Sequence, residues 1–367
     1  MKVWPALIAV SMVVFALLAM QAAPRAVGGP PKIDIETTTR SKDRDQPMYS
    51  KSAYDITPLS KERINELAAT LSPEDAKVIL NKGTEAPFCG NLLDNKKEGT
   101  YLCKLCGLPL FSSQHKFDSG TGWPSFFAPT DTAHVAYIKD KSMGMTRVEI
   151  LCARCDAHLG HVFEDGPEPT GLRYCLNSAS MLFSEKGQEL PVASRPIATE
   201  TAYFAGGCFW GVEDRFQQTP GVIDAVSGYM GGTVSKPTYK QISYTDTGHA
   251  EVVKIVFDPS KLTYTQLLEK FFKYHDPTTL NRQGPDVGTQ YRSAVFAMGD
   301  AQLKQANEFI TEKGKKARFQ RTKIVTQVVP AASEGPGQFW TAEEYHQDYH
   351  TKNGGHCAMP PNVSDDE

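Results

Sequence analysis

The sequence predicts two domains: a mainly antiparallel β domain rich in cysteine, then a layered α/β domain. Three observations predict this. The chain has 367 residues, and at roughly 150 residues per domain that suggests about two cores. From Gly83 to Phe183, short apolar runs alternate with Gly, Pro, Asn and Asp clusters, the pattern of short antiparallel strands. Beyond residue 200, strand-like and helix-like segments alternate, as in α/β or α+β layers.

The elements follow in order. After Lys2 comes an apolar run, Val3 to Met20, broken only by Pro5 and Ser11 and followed by Gln21, Ala22, Ala23 and Pro24. Residues 1–23 read as a secretory signal peptide. A retained membrane anchor is the alternative, since about 18 apolar residues just span a bilayer. Either way the domains are expected to be exported, periplasmic or extracytoplasmic, or anchored and facing outside. Residues 24–54 (PRAVGGPPK, TTTRSKDRDQP) carry too little apolar surface to pack and read as a flexible linker.

The first domain is expected over 55–186. Ile64, Leu67, Ala68 and Leu71 have helical spacing. Ser72-Pro73-Glu74-Asp75 has the features of a helix start: a Ser cap, Pro at the first position and acids in the first turn. A second linker spans 187–199, and the second domain is expected over 200–360 with a tail at 361–367. In that domain Thr201–Ala205, Glu251–Phe257, Ser293–Met298 and Lys323–Val329 look like strands. Cys208–Gln218, Tyr264–Tyr274 and 301–313 look helical. The net charge of −3 gives no pull toward nucleic acid.

Eight cysteines stand at 89, 103, 106, 152, 155, 175, 208 and 357. Cys103-x-x-Cys106 and Cys152-x-x-Cys155 are paired knuckles that can supply four thiolates to one tetrahedral Zn²⁺. Such a closed site would be structural, one ion per chain. Two disulfides or a redox pair are the alternatives, but a redox C-x-x-C usually opens a helix after a strand, and neither pair does.

Cys175 lies between Arg173 and Asn177, downstream of His158, His161 and Asp165. Cationic and imidazole neighbours can hold a cysteine as the attacking thiolate; a buried structural thiol is the bland alternative. Trp123, with Phe126 and Phe127, can wall an apolar pocket or simply fill the core. The segments GTEAPFCG, FDSGTGWPSF, CDAHLGHVFEDGPEPTG and RYCLNSAS resemble the B-type methionine sulfoxide reductases over about residues 55–184. The resemblance implies a β fold around a nucleophilic Cys175 that reduces the R epimer. Trp123 would cup the substrate methyl, and His158, His161, Asp165, Arg173 and Asn177 would line the site and steer the proton. Many members carry a resolving cysteine in the SG-C-GWPSF position, where Thr121 stands here. Cys89, in the PFCGN loop, is the candidate resolving thiol.

In AGGCFWGVE, two glycines let the chain turn from strand to helix, and Cys208 then sits at a helix N-terminus that favours a thiolate. With GYMGG, PTY, TGHAEV and GPDVGTQYRSAVF in order, residues 200–358 resemble the A-type methionine sulfoxide reductases. This implies a ferredoxin-like α/β plait acting on the S epimer. Cys208 would be the nucleophile, Phe209 and Trp210 the methyl pocket, and Glu251 the acid. Tyr239, Asp286 and Tyr291 would complete the substrate contacts, and Cys357 fits the resolving position. No G-x-G-x-x-G follows a strand, so neither flavin nor nicotinamide is expected. Reducing power would come from a thioredoxin-like dithiol partner, and the substrate would be oxidised protein or free methionine sulfoxide. The competing reading is a zinc-stabilised binding module fused to a thiol hydrolase or disulfide oxidoreductase.

Overall fold

A computed structural model describes residues 46–355. The signal or anchor segment 1–23, most of the 24–54 linker, Cys357 and the 361–367 tail lie outside the described residues. Among the described residues no helix is long and apolar enough to cross a membrane.

The first domain opens with two short helices. In α1 (Lys61–Ala68) the Ser60 side chain accepts from the Arg63 N–H, and in α2 (Pro73–Ile79) Ser72 accepts from Asp75. The expected helix start at Ser72-Pro73 is therefore realised, with Glu74 and Asp75 in the first turn. Nine strands follow: β1 (Gly99–Cys103), β2 (Pro109–Ser112), β3 (Lys116–Phe117), β4 (Ser125–Phe126), β5 (Val135–Asp140), β6 (Arg147–Cys152), β7 (His158–Phe163), β8 (Arg173–Leu176) and β9 (Met181–Glu185). They form a three-stranded sheet in the order β2-β1-β9 and a six-stranded sheet in the order β3-β4-β8-β7-β6-β5. Every pairing in both is antiparallel. Aromatic rings join the two: Phe126 of β4 packs 4.9 Å from Tyr101 of β1 and 4.8 Å from Phe111 of β2, centroid to centroid.

Two segments expected to be loose are packed. Within the 24–54 linker, the stretch from residue 46 lies on the body of the protein, and Ser50 is only 1% exposed. Its Oγ meets the His134 ring at 3.0 Å, and Tyr49 donates to Asp258 of the second domain at 2.8 Å. In the 187–199 linker, Ser194 is fully buried, and Ile197 N–H bonds to the Ala53 carbonyl at 2.9 Å. Low hydrophobicity misleads at both places because polar and backbone hydrogen bonds do the holding, not apolar burial.

The second domain is built from β10 (Glu200–Gly206), α3 (Phe209–Gln217), β11 (Val222–Met230), α4 (Tyr239–Tyr244), β12 (Ala250–Phe257), α5 (Tyr264–Tyr274), the small hairpin β13 (Arg282–Gln283) and β14 (Asp286–Val287), β15 (Ser293–Ala297), α6 (Gly299–Lys313), α7 (Ala317–Arg321), β16 (Gln327–Pro330), β17 (Trp340–Thr341) and α8 (Tyr349–Asn353). Its six-stranded sheet runs β16-β15-β10-β12-β11-β17. The inner four strands, with α3 and α5 as crossovers, make the β-α-β-β-α-β order of a ferredoxin-like plait. One sheet face meets the helices through Phe204, Phe216, Val253, Ile255, Leu267 and Phe271. The other buries smaller side chains such as Ala205, Ala250 and Val252. β16 starts later than its apolar pattern suggests, at Gln327 and not Lys323, because Val325 N–H pairs with the Pro277 carbonyl in a loop.

Candidate active sites

The two knuckles are turns of one kind. Cys103 ends β1 and Cys152 ends β6, and each cysteine N–H bonds to a carbonyl five residues on, at Leu108 and Ala157. The residue after each second cysteine has positive φ, Gly107 at 79° and Asp156 at 61°. That folding brings four buried sulfurs within 4.8 Å of one another. Cys103–Cys155 and Cys106–Cys152 stand 3.5 Å apart. A tetrahedral ion with bonds of about 2.3 Å sets its sulfurs roughly 3.8 Å apart, so the cluster is spaced to hold a metal and too open for disulfides.

In the six-stranded sheet, Cys175 of β8 stands between two partners in register, Ser125 on β4 and His161 on β7. Beside it is a cavity of about 120 Å³ lined by Trp123, Arg147, His161, Phe163 and Asn177 among others. Each wall is fixed from behind. The Trp123 indole donates to the Glu85 carbonyl at 3.1 Å, and His161 Nε2 lies 2.9 Å from Asp140, which also takes Arg147 at 2.7 Å. Arg173 forms a two-pronged pair with Asp165 at 2.9 and 2.8 Å and lies over the Phe163 ring.

Two expectations are modified. His158 does not line the cavity; it packs against His161, and its Nδ1 meets Glu149 Oε1 at 2.8 Å. The cationic neighbours also do not make Cys175 a resting thiolate. Burial pushes its thiol up, and Arg173 and Thr121 offset this only partly. Burial is the main cause, and the Asp165 carboxylate paired with Arg173 adds a smaller push in the same direction. Thr121 Oγ1 is 4.0 Å from Cys175 Sγ, so the threonine faces that thiol directly. Cys89 is exposed, in a loop whose Phe88 N–H bonds to the Gly122 carbonyl at 2.8 Å. Sequence reasoning missed Asp140 and Arg147, which carry no local motif, and Glu85, which stands in GTEAPFCG but whose contacts arise only through the fold.

In the second domain, Gly207 has φ 93°, and a Cβ there would fall 2.5 Å from Gln283. The glycine thus permits the turn that leaves Cys208 capping α3. Period-two alternation along β12 puts Glu251 on the helix face with Val253 and Ile255. There its Oε2 accepts the Phe209 N–H at 3.0 Å. Glu251 is 2% exposed, and burial raises its carboxyl to about 8, with Asp286 adding to the effect. Glu251, Tyr239, Asp286 and Cys208 all act on the Tyr291 hydroxyl and push it up, after burial itself. The expected residues of this site therefore converge, except Cys357, which lies outside the described residues.

The aromatic wall has members the motifs did not reveal. Trp210 donates to His346 Nδ1 at 3.0 Å and is stacked by Tyr349 of α8 at 3.7 Å and 4°. Tyr239 lies 4.5 Å from the His346 ring, and its N–H is held by Glu343 at 2.9 Å. The run EEYHQDYH, dense in aromatic and imidazole groups, is the signal that could have found them.

Comparison with known proteins gives each domain a family. Residues 200–366 match the family described as peptide methionine sulfoxide reductase, and residues 71–185 match the SelR domain. The chain is 54% identical over 147 residues to peptide methionine sulfoxide reductase MsrB of Caulobacter vibrioides, covering 40% of this chain and 92% of that protein. It is 49% identical over 156 residues to peptide methionine sulfoxide reductase MsrA of Methanoculleus marisnigri, covering 42% of this chain and 92% of that one. The chain belongs to the peptide methionine sulfoxide reductases. Its first domain is of the B type and its second of the A type, so one reductase carries both stereospecificities. Among solved structures, reduced Mxr1 from Saccharomyces cerevisiae aligns at 36% identity, covering 48% of this chain and 96% of that chain, with a TM-score of 0.41.

Proposed function

We propose that the reductase repairs the R epimer at Cys175 and the S epimer at Cys208 by the same sequence of steps. The cysteine sulfur attacks the sulfoxide sulfur while an acid protonates the oxygen. The S–O bond breaks, methionine leaves, and the cysteine carries the oxygen as sulfenic acid. A second thiol condenses with it, releasing water and forming a disulfide. A thioredoxin-like dithiol then reduces that disulfide by exchange.

The observation that carries this reading is Glu251. With one carboxyl oxygen on the Phe209 N–H and a pKa raised to about 8, it keeps a proton on the other at neutral pH. That proton is what a departing sulfoxide oxygen needs. Phe209 and Trp210 would hold the methyl, while Tyr239, Asp286 and Tyr291 would seat the oxygen and the flanking amide. In the B-type site, Trp123 would hold the methyl, and His161, Arg173 and Asn177 the oxygen, with His158 and Asp165 positioning them. Cys89 is the resolving thiol we assign to Cys175, and Cys357 to Cys208. Zn²⁺ would occupy the four-cysteine cluster as a structural ion. The segment 1–23 supports export across a membrane.

Epimer-pure substrates test the two-site reading. Cys208→Ser should abolish S reduction and spare R reduction, and Cys175→Ser should do the reverse. Loss of both activities in either variant would refute it.

A further inference from the structure

One face of α3 meets the segment that follows β17. Trp210, Glu213 and Gln217 are three and four residues apart and so share that face. Each takes a partner from the short run 346–349. The Trp210 indole donates to His346 and is stacked by Tyr349. Glu213 Oε2 accepts the Asp348 N–H at 3.1 Å, and Gln217 Nε2 donates to Asp348 Oδ1 at 2.7 Å. The other Glu213 oxygen, Oε1, accepts the Ser227 N–H of β11 at 3.1 Å.

Glu213 is 1% exposed, and both of these partners are backbone N–H groups, not cations. Burial pushes its carboxyl up to about 7; the Ser227 N–H pulls it back and Asp348 adds to the rise. A buried carboxylate without a cation costs more than an apolar side chain of the same size, so packing alone does not account for an acid here. Its two oxygens join a sheet strand to a turn that needs holding. Asp348 has φ 54°, a left-handed conformation uncommon outside glycine. α8 beyond it has five residues, too few for a helix to be stable by itself.

We propose that Glu213 is a positioning residue of the S-epimer site: by bridging Ser227 and Asp348 it holds the start of α8, so that Tyr349 stays stacked on the Trp210 indole. The proposal rests on the reading in which Trp210 holds the substrate methyl beside Cys208. Glu213 acts through Tyr349 and Trp210, not on the reacting sulfur. Its loss therefore weakens substrate binding and leaves the chemical step alone.

The test follows the first turnover of the reduced full chain with excess methionine S-sulfoxide and no reductant, so that recycling does not enter. Glu213→Leu removes both acceptors at a similar volume. Glu213→Gln keeps one, because an amide nitrogen cannot accept. Glu213→Leu should raise the half-saturating S-sulfoxide concentration several-fold, keep the maximal rate within about twofold, and leave R reduction as in the wild type. Glu213→Gln should do the same to a smaller degree. Amide hydrogen exchange over 346–353 should quicken by about tenfold in Glu213→Leu while exchange over α5 does not change. Combined with Tyr349→Ala, Glu213→Leu should add nothing to the half-saturating concentration, since both act through one contact. An unchanged half-saturating concentration in Glu213→Leu would overturn the proposal, as would a loss of maximal rate alone. Effects that multiply in the double variant, or exchange that quickens evenly over the second domain, would also overturn it. If Glu213→Leu shows no S reduction at all, Glu213→Gln decides by the same criteria. A wild-type chain that does not reduce the S epimer refutes the reading of Cys208 itself, a separate failure.

Discussion

Glu251 and Cys175 show how burial sets opposite demands on two ionisable groups. Burial raises both, which suits an acid and opposes a nucleophile. For Glu251 the consequence is a pH limit. The carboxyl is protonated below its pKa of about 8 and loses its proton as pH rises through that value. The S-epimer kcat/KM should therefore fall above about pH 8, and Glu251→Gln should lower it about 10²–10⁴-fold and remove that descending limb. Rates with each epimer across pH 6–10 would check this; a Glu251→Gln profile that still bends near pH 8 would assign the limb elsewhere. Thr121 gives a second prediction at this scale. Its Oγ1 is 4.0 Å from Cys175 Sγ, so a thiol there would stand near bonding reach. Cys89→Ser should slow dithiol-driven recycling while sparing the first turnover. Adding Thr121→Cys should restore recycling, with mass mapping finding a peptide in which a disulfide joins position 121 to Cys175. Full recycling in Cys89→Ser alone would remove Cys89 from the mechanism.

Among the elements, the strands and helices with clean periodicity were legible in sequence: β10, β12, α5 and β15 fall where alternation or a four-residue spacing puts them. β11 was not, because Asp224, Ser227 and Gly228 interrupt its apolar run, yet it lies inside the sheet between β12 and β17. Cys175, Cys208, the cysteine tetrad and Glu251 stood out in sequence because each sits in a compact motif. The residues that hold them were not, since His346, Tyr349, Asp140 and Glu149 meet their partners only through tertiary structure. α8 is the clearest case. It has five residues and no recognisable period, but its Tyr349 stacks on Trp210 at 3.7 Å. Such a stack contributes about 0.5–1.5 kcal/mol beyond area burial and fixes one indole face; in the proposed mechanism the other face takes the substrate methyl. Tyr349→Ala should raise the KM for S substrates several-fold, shift tryptophan fluorescence and leave R reduction alone. An unchanged S-epimer KM would show that the indole is held by His346 without help from α8.

Across the whole molecule, the four-cysteine cluster reaches beyond the first domain. Arg154 stands between Cys152 and Cys155, and its side chain donates to the carbonyls of Asp55 at 2.7 Å, Ala193 at 2.7 Å and Cys106 at 3.4 Å. Its own carbonyl accepts the Leu59 N–H at 2.8 Å. One buried guanidinium thus ties a knuckle to the 187–199 segment, which read as a linker, and to Asp55, which directly follows the other linker. That other linker reaches the second domain through the Tyr49–Asp258 bond. Each hydrogen bond lost costs about 0.5–1.5 kcal/mol, so Arg154→Ala should lower the melting temperature and open the 187–199 segment to proteases. The cluster should carry about one Zn²⁺ per chain, and stripping it with a chelator should open the same segment, because the knuckle that aims Arg154 loses its centre. Limited proteolysis with fragment mapping reads both effects on one scale. Cleavage near residue 190 that is no faster in the chelated protein or in Arg154→Ala would confine the metal's influence to the β domain alone.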